Sequence, residues 1–404
     1  MEPIPLIHGH LKKKTSNDRT SDDLNFVDRI KDNDTDLVYF CLNVGDGDAQ
    51  VIVLPRRSDV DVRRVIVVDA GHTTKVTELL AALARENVIS FQNAADQTIA
   101  LVVATHPHHD HIAGMAELFR QYGDHVAEFW EPGYFHTTGS YQAMMREVAA
   151  LPNLVYTQPT SGMRRFFGLV GVTVLSPSIH LRSRFDTYGV EINDASISLR
   201  IEHPTRALAD IAAFGGQANY AARAAAAKLI LGADAQTLSW SFVATDFPYL
   251  AGSSTAQAQA IQAAQGGKDL LAADVLKVSH HASKHGVNLE LVERIRPKLT
   301  LVSCTAGGPN YGFPHTVSQE LIREALDPIA GRGANQSRNK GDAELGIFYT
   351  GDWTTDPAAG AAVELPVGSM AVVLRGRDRE LWRFMDSPTD PVDLTQARYW
   401  DPPP

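Results

Sequence analysis

The strongest constraint on this chain is a near-continuous apolar run, TIALVVAT (98–105), that leads straight into HPHHDH (106–111). Such a run, rich in β-branched residues, is the pattern of a strand buried on both faces. His106, His108, His109, Asp110 and His111 then crowd six positions at its end. That many ionisable groups beside a buried strand are costly to desolvate unless something satisfies them. In an extended segment, residues two apart face the same way, so His106 and His108 can grip one ion. Asp110 and His111 lie at the turn into the next helical pattern and can grip a second. Imidazole and carboxylate suit zinc, iron and manganese. A metal-free, histidine-rich surface loop would explain a lone histidine better than this spacing.

Other short apolar runs flank the cluster. LVYFCLNV and AQVIVLP are separated by GDGD, a turn signal between two strands, and RRVIVVDAG gives a third strand. KVTELLAALARENV and IAGMAELFRQYG carry apolar residues at helical spacing. Further strands are expected at AEFWEP, NLVYTQ, GVTVLSP, SISLRIE, KLILGAD, DVLKVSH, KLTLVSC, LGIFYTG and SMAVVLRG, and helices at 139–150, 288–295 and 316–327. Runs of strands with interspersed helices favour an α+β layered sandwich over a strictly alternating parallel sheet. Residues 1–35 read as a polar, flexible arm, 36–385 as one catalytic domain, and 386–404 as a proline-rich, loosely packed tail. Within the domain, 205–226 (alanine-rich) and 236–268 read as insertions, and 329–343 as a polar, mildly basic loop.

Of the 404 residues, 44% are hydrophobic and 21% charged, ordinary for a globular chain able to build a large core. The formal net charge is −10, so a nucleic-acid substrate needs a local basic patch that opposes the average. Cys41 and Cys304 each lie in an apolar run, far apart, and read as buried thiols rather than a disulfide or ligands. No signal peptide and no apolar run of bilayer length is visible, so a soluble, cytoplasmic protein is expected. No protein partner is evident, and the oligomeric state is not encoded in any visible pattern.

Two ions need more ligands, and other strand ends offer them. LILGADAQ places Asp234 after a strand, where it can bridge two cations or simply cap a turn. LKVSHHASKHG places His280 and His281 at another strand end, with Lys284 and His285 beyond. The HxHxDH pattern at 106–111 resembles the signature of the metallo-β-lactamase fold. The ordered series is similar, more narrowly, to the metallo-β-lactamase domain of ComEC-type DNA-uptake proteins. It comprises LNVGDGDAQVIVL, VVDAG, INDASISLRI, LILGADAQ, DVLKVSHHAS and LVSCTAGGPNYGFPHTVSQELI, spanning residues 37–327.

The resemblance implies a four-layer αββα sandwich with a dinuclear centre of two divalent ions, zinc first, with manganese or iron as alternatives. It implies that His106 and His108 hold the first ion and that Asp110, His111 and a strand-end histidine hold the second, with Asp234 between them. His280 is the expected strand-end ligand, because the strand delivers it first, and His281 a neighbouring proton-transfer group. Asp69 is expected to orient a ligand histidine.

This chain departs from the pattern at two places. Many members of the fold carry a histidine where it reads NDAS, so Asn193, Asp194 or water must complete the first site; His203, further along, is a weaker candidate. Phe313 stands where the subgroup has histidine, and His315 follows two residues later.

Two dications can generate a hydroxide between them near neutral pH and neutralise developing charge on carbonyl or phosphoryl centres. Asp110 can aim that nucleophile, and His281, Lys284 or His285 can protonate the leaving group or hold a phosphate oxygen. Lys277, Lys284, Arg332, Arg338 and Lys340 are the candidates for a local basic rim. The expected activity is hydrolysis of a phosphodiester, in a small molecule or a short nucleic acid. A carboxylic ester, lactone or β-lactam is the first alternative. An iron-dependent redox enzyme or a non-catalytic binding protein of the same fold are the others. The membrane part of ComEC-type proteins has no counterpart here, so DNA import is not implied.

Overall fold

Alternation along the first strand determines how the layers assemble. In β1 (Leu37–Cys41), Leu37, Tyr39 and Cys41 face one core and Val38 and Phe40 another, and all five are buried. A strand buried on both faces must lie between two layers. The computed structural model describes residues 25–56, 62–185, 190–205, 226–249, 255–256, 269–305, 311–328, 340–355, 364–376 and 378–400.

Eighteen strands occur among these residues. β2 (Ala49–Val53), β3 (Val65–Ala70), β4 (Ile99–Val103), β5 (Glu128–Trp130) and β6 (Val155–Thr157) follow β1. β7 (Arg164–Phe167), β8 (Val170–Ser176), β9 (Ser198–His203), β10 (Ala227–Leu231), β11 (Val275–Lys277), β12 (Leu299–Val302) and β13 (Ile347–Tyr349) come next. β14 (Trp353–Thr355), β15 (Glu364–Pro366), β16 (Met370–Arg375), β17 (Asp378–Arg383) and β18 (Arg398–Trp400) complete the set. One sheet has nine strands in the order β18-β17-β16-β1-β2-β3-β4-β5-β6, and the other has seven, β13-β12-β11-β10-β9-β8-β7. β14 and β15 form a separate pair.

The two large sheets face each other across a core that includes Ile52, Ile66, Val68, Val172, Leu199 and Leu229. A second core packs the helices Phe26–Asp32, Lys75–Arg85, Met115–Tyr122 and Gly139–Ala149 on the outer face of the nine-stranded sheet. A third packs Thr237–Asp246, Leu289–Ile295 and Thr316–Leu326 on the outer face of the seven-stranded sheet. Three cores between four layers make an αββα sandwich, as expected. Each fully buried aliphatic side chain in them contributes about 1.5–3 kcal/mol before entropy is subtracted.

Several segments differ from the sequence-based expectation. Residues 26–32, placed in the flexible arm, form a helix because Phe26, Val27 and Ile30 recur on one face and are buried. Asn25 caps that helix by accepting from the Val27 and Asp28 amides. Residues 237–246, placed in an insertion, form a helix whose Trp240 and Val243 are buried. The tail up to residue 400 is not loose: β18 pairs with β17, and Trp400 lies 5.7 Å from Phe348, while 401–404 lie outside the described residues. The remainder of the arm (1–24), residues 206–225, 257–268 and most of the 329–343 loop lie outside the described residues. Cys41 and Cys304 are buried free thiols, and burial pushes each up to about 12. No helix among the described residues is long and apolar enough to cross a membrane.

Candidate metal centre

β3, β4 and β5 run parallel in one sheet, as do β10, β11 and β12 in the other. Parallel strands deliver their carboxyl ends to one edge, and polar residues placed just past those ends meet there. Asp69 lies at the end of β3, His106 follows β4, Asp234 follows β10, and His280 and His281 follow β11. Backbone hydrogen bonds join the loops: Asp48 N–H donates to the Asp110 carbonyl (3.0 Å), and Gly71 N–H to the Asp48 carbonyl (2.8 Å). At Gly71 a Cβ would fall on the Asp110 carbonyl oxygen, so only glycine permits this approach.

Asp234 is at the centre, and its two oxygens face different groups. Oδ1 lies 3.3 Å from His111 Nε2 and 3.6 Å from His281 Nε2. Asp110 Oδ2 is 3.9 Å from the same His111 nitrogen and 3.7 Å from that of His281. Oδ2 of Asp234 lies 3.7 Å from His106 Nε2, which is 3.0 Å from His108 Nδ1. The side chains thus sort into His106, His108 and Asp234, and into Asp110, His111 and His281 with the other oxygen of Asp234. His281 therefore occupies the place expected of His280. His280 instead directs Nε2 toward Oδ2 of Asp234, at 3.7 Å. The sequence cannot show this, because His280 and His281 adopt left-handed backbone angles (φ 49° and 51°) that break strand alternation.

The outer nitrogens of three rings are anchored. His111 Nδ1 is 2.8 Å from Asp69 Oδ2, and His281 Nδ1 is 2.9 Å from the Ser303 carbonyl. His106 Nδ1 is 3.2 Å from the Thr105 hydroxyl, which itself donates to Asp69. Each anchor accepts the Nδ1 proton and leaves Nε2 with a lone pair aimed inward. Asp69 is fully buried, and it also accepts from the Thr105 amide at 2.8 Å. His111 Nε2, His281 Nε2 and Asp234 Oδ1 are buried with no hydrogen-bond partner. Buried polar atoms are rarely left so, and convergent imidazole nitrogens and carboxylate oxygens are the donor set of zinc, iron and manganese. The residues present therefore fit the divalent ions.

Charge follows burial and neighbours. Burial alone raises the Asp234 carboxyl, but His111 and His281 outweigh it and hold it well below the usual range. Burial also disfavours ionised Asp110, yet the neighbouring His281 and His111 imidazoles hold it below the ordinary carboxylate value. Burial, aided by His111, pushes His106 well below its ordinary value, and burial lowers His108 and His280 too.

Other expected residues are elsewhere. Asp194 accepts from the Ser239 hydroxyl (2.9 Å) and amide (3.3 Å) through Oδ1, tying the helix Thr237–Asp246 to the segment before β9. Asn193 stays near the centre, with Nδ2 3.5 Å from His280 Nε2. His203 lies at the far end of β9 from Ser198 and bonds the Thr35 carbonyl at 3.2 Å. His315 caps the helix Thr316–Leu326, accepting from the Val317 amide at 3.2 Å. Phe313 covers the histidine pair, 5.6 Å from His281 and 5.4 Å from His280.

Lys277 does not belong to a basic rim. It is fully buried in an ion pair with Asp48, whose attraction outweighs burial and raises the lysine above its ordinary value. Lys284 and Lys340 are exposed; Arg332 and Arg338 lie outside the described residues. Sequence reasoning missed the Asp48–Lys277 pair, whose partners are 229 positions apart. It also missed the Thr105 and Ser303 anchors. The only signal in the chain was a lysine inside an apolar strand.

Residues 60–186 match the family model described as the metallo-beta-lactamase superfamily. Together with the two facing sheets, this match defines the fold as the metallo-β-lactamase fold. No curated protein is significantly similar to the chain. Among solved structures, the metallo-beta-lactamase fold protein YhfI from Bacillus subtilis is 14% identical, covering 72% of this chain and 94% of that one, with TM-score 0.38. CmlA, a diiron beta-hydroxylase from Streptomyces venezuelae, is 13% identical over 72% of this chain and 51% of that one (TM-score 0.33). The short form of human tRNase Z is 14% identical over 66% and 92% (TM-score 0.32). Likeness of this size assigns no substrate.

Proposed function

We propose that the chain is a metal-dependent hydrolase that cleaves a phosphodiester, in a nucleic acid or a small molecule. The observation that carries this reading is the convergence of buried, unpartnered His111 Nε2, His281 Nε2 and Asp234 Oδ1, with the outer ring nitrogens anchored. Bound divalent ions supply an activated water and neutralise the charge that develops at the reacting centre. The protein side chains supply the rest. His106, His108, Asp110, His111, Asp234 and the histidine pair form the cage. Asp110, with 40% of its side chain exposed, stands at the mouth in its ionised form, placed to accept a hydrogen bond from the attacking water. Lys284 and His285 are exposed just beyond the pair, in reach of a phosphate oxygen or leaving group.

The ordered ComEC-like motifs support a phosphodiester. So does an aromatic ladder: Tyr311 stacks on Phe313 (5.7 Å, 21°), and Phe313 on His281. Tyr311 is 69% exposed, a face on which a nucleobase can stack. The burial of Lys277 removes one cation from the rim and favours, as second reading, a neutral carboxylic ester, lactone or β-lactam. Zinc- and manganese-loaded protein is to be incubated with bis-p-nitrophenyl phosphate, single-stranded DNA and a chromogenic β-lactam, with His108→Ala as control. Phosphodiester cleavage lost in the variant is expected. Cleavage of the lactam alone overturns the substrate, and equal activity in the variant overturns the site.

A further inference from the structure

The segment before β9 reads INDASIS and lacks a histidine for the first ion, leaving His106, His108 and one Asp234 oxygen as its donors. Three observations point to what completes it. First, His280 Nε2 lies 3.7 Å from Asp234 Oδ2, the same oxygen that His106 Nε2 approaches at 3.7 Å. Second, His280, His281 and Ala282 are three successive non-glycine residues with positive φ (49°, 51° and 59°). Such a run is strained, and it persists only where surrounding structure holds it. Its effect is to turn two adjacent imidazoles, which an extended chain would point apart, onto the two oxygens of one carboxylate. Third, His280 is boxed in. Phe313 packs against its ring, Asn193 Nδ2 is 3.5 Å from Nε2, and the Gln236 amide is 3.4 Å from Nδ1. Turning the Gln236 amide end for end sets its oxygen on Nδ1–H, the same anchoring that fixes the other ligand rings.

We propose that His280 is the third protein ligand of the first ion, so that the adjacent pair His280–His281 serves two different ions. The assignment rests on reading the site as a two-ion centre. Asn193 is the competing donor, and a carboxamide is a weaker ligand than imidazole for zinc.

The full chain, stripped with chelator, is to be titrated with Zn(II) against a competing chelator, and with Co(II) while the visible bands are followed. His280→Asn is the main variant, because asparagine tolerates the left-handed backbone; His280→Gln is the second, and circular dichroism checks that each is folded. The unaltered protein is expected to take up two ions. His280→Asn and His280→Gln should keep one ion at unaltered affinity and bind the other about tenfold or more weakly. The Co(II) bands they lose should be those lost in His106→Asn and retained in His281→Asn. Asn193→Ala should bind both ions as the unaltered protein does. Two ions bound normally by both His280 variants overturn the assignment. Loss of the bands that His281→Asn loses, or loss in Asn193→Ala instead, overturns it equally. Failure of the unaltered protein to bind two ions overturns the two-ion reading itself, and the assignment with it.

Discussion

At the scale of single residues, the site depends on groups that never touch a substrate. Asp69 accepts the His111 Nδ1 proton and itself has a positive φ of 59°, which asparagine also tolerates. Asp69→Asn should therefore fold but weaken metal binding by about 10–100-fold, measured by chelator competition; unchanged affinity contradicts the anchoring role. Lys277→Met leaves Asp48 buried and unpaired and should cost about 3–5 kcal/mol in denaturant unfolding, much of it recovered in Asp48→Asn/Lys277→Met. A loss no smaller in the double variant would show that packing, not charge, is at stake. The convergence of the HxHxDH side chains was legible in the sequence because it depends on local strand and turn geometry. The different directions taken by His280 and His281 were not, since they depend on a left-handed turn. Nor was Lys277, whose burial depends on an acid in a distant strand.

At the scale of elements, long apolar runs such as LVYFC and IALVV announced their strands. RRFF, DRELWR and RYW did not, because edge and outer strands carry polar residues that tertiary pairing alone makes extended. The strand ends are held together by close backbone approach, so Gly71→Ala should push the Asp110 loop away and lower both melting temperature and metal occupancy. Normal occupancy would mean that the loops are not so coupled. At the other end of β9, burial pushes the His203 imidazole below its ordinary value, against the opposing bond to the Thr35 carbonyl. Between that lowered value and the unfolded value of about 6.5, the unfolded chain binds the proton and the folded chain does not. Stability from this group is thus present above about pH 6.5 and lost as pH falls through that window. The melting temperature of His203→Gln should drop less than that of the unaltered protein between about pH 7 and about pH 5. Parallel profiles would contradict the assignment.

At the scale of the whole molecule, three cores hold the two sheets and their helices in register, and the C-terminal segment is part of that assembly. Val392 and Leu394 are buried in the outer core of the nine-stranded sheet, and Tyr399 packs 5.3 Å from Trp382. Truncation after Pro391 removes Val392, Leu394 and Tyr399 and uncovers the core they pack on, Trp382 included, so it should lower the melting temperature, a loss of about 2–5 kcal/mol; an unchanged melting temperature would mean that the segment only rests on the body. The account's central claim is that buried histidine and carboxylate atoms from both sheets exist to hold divalent ions. Metal content by plasma mass spectrometry, after loading and dialysis, tests it most directly. About two ions per chain are expected in the unaltered protein on the proposed two-ion reading, and less than about one in Asp234→Asn. An unaltered protein that retains no divalent ion under any loading condition would contradict it.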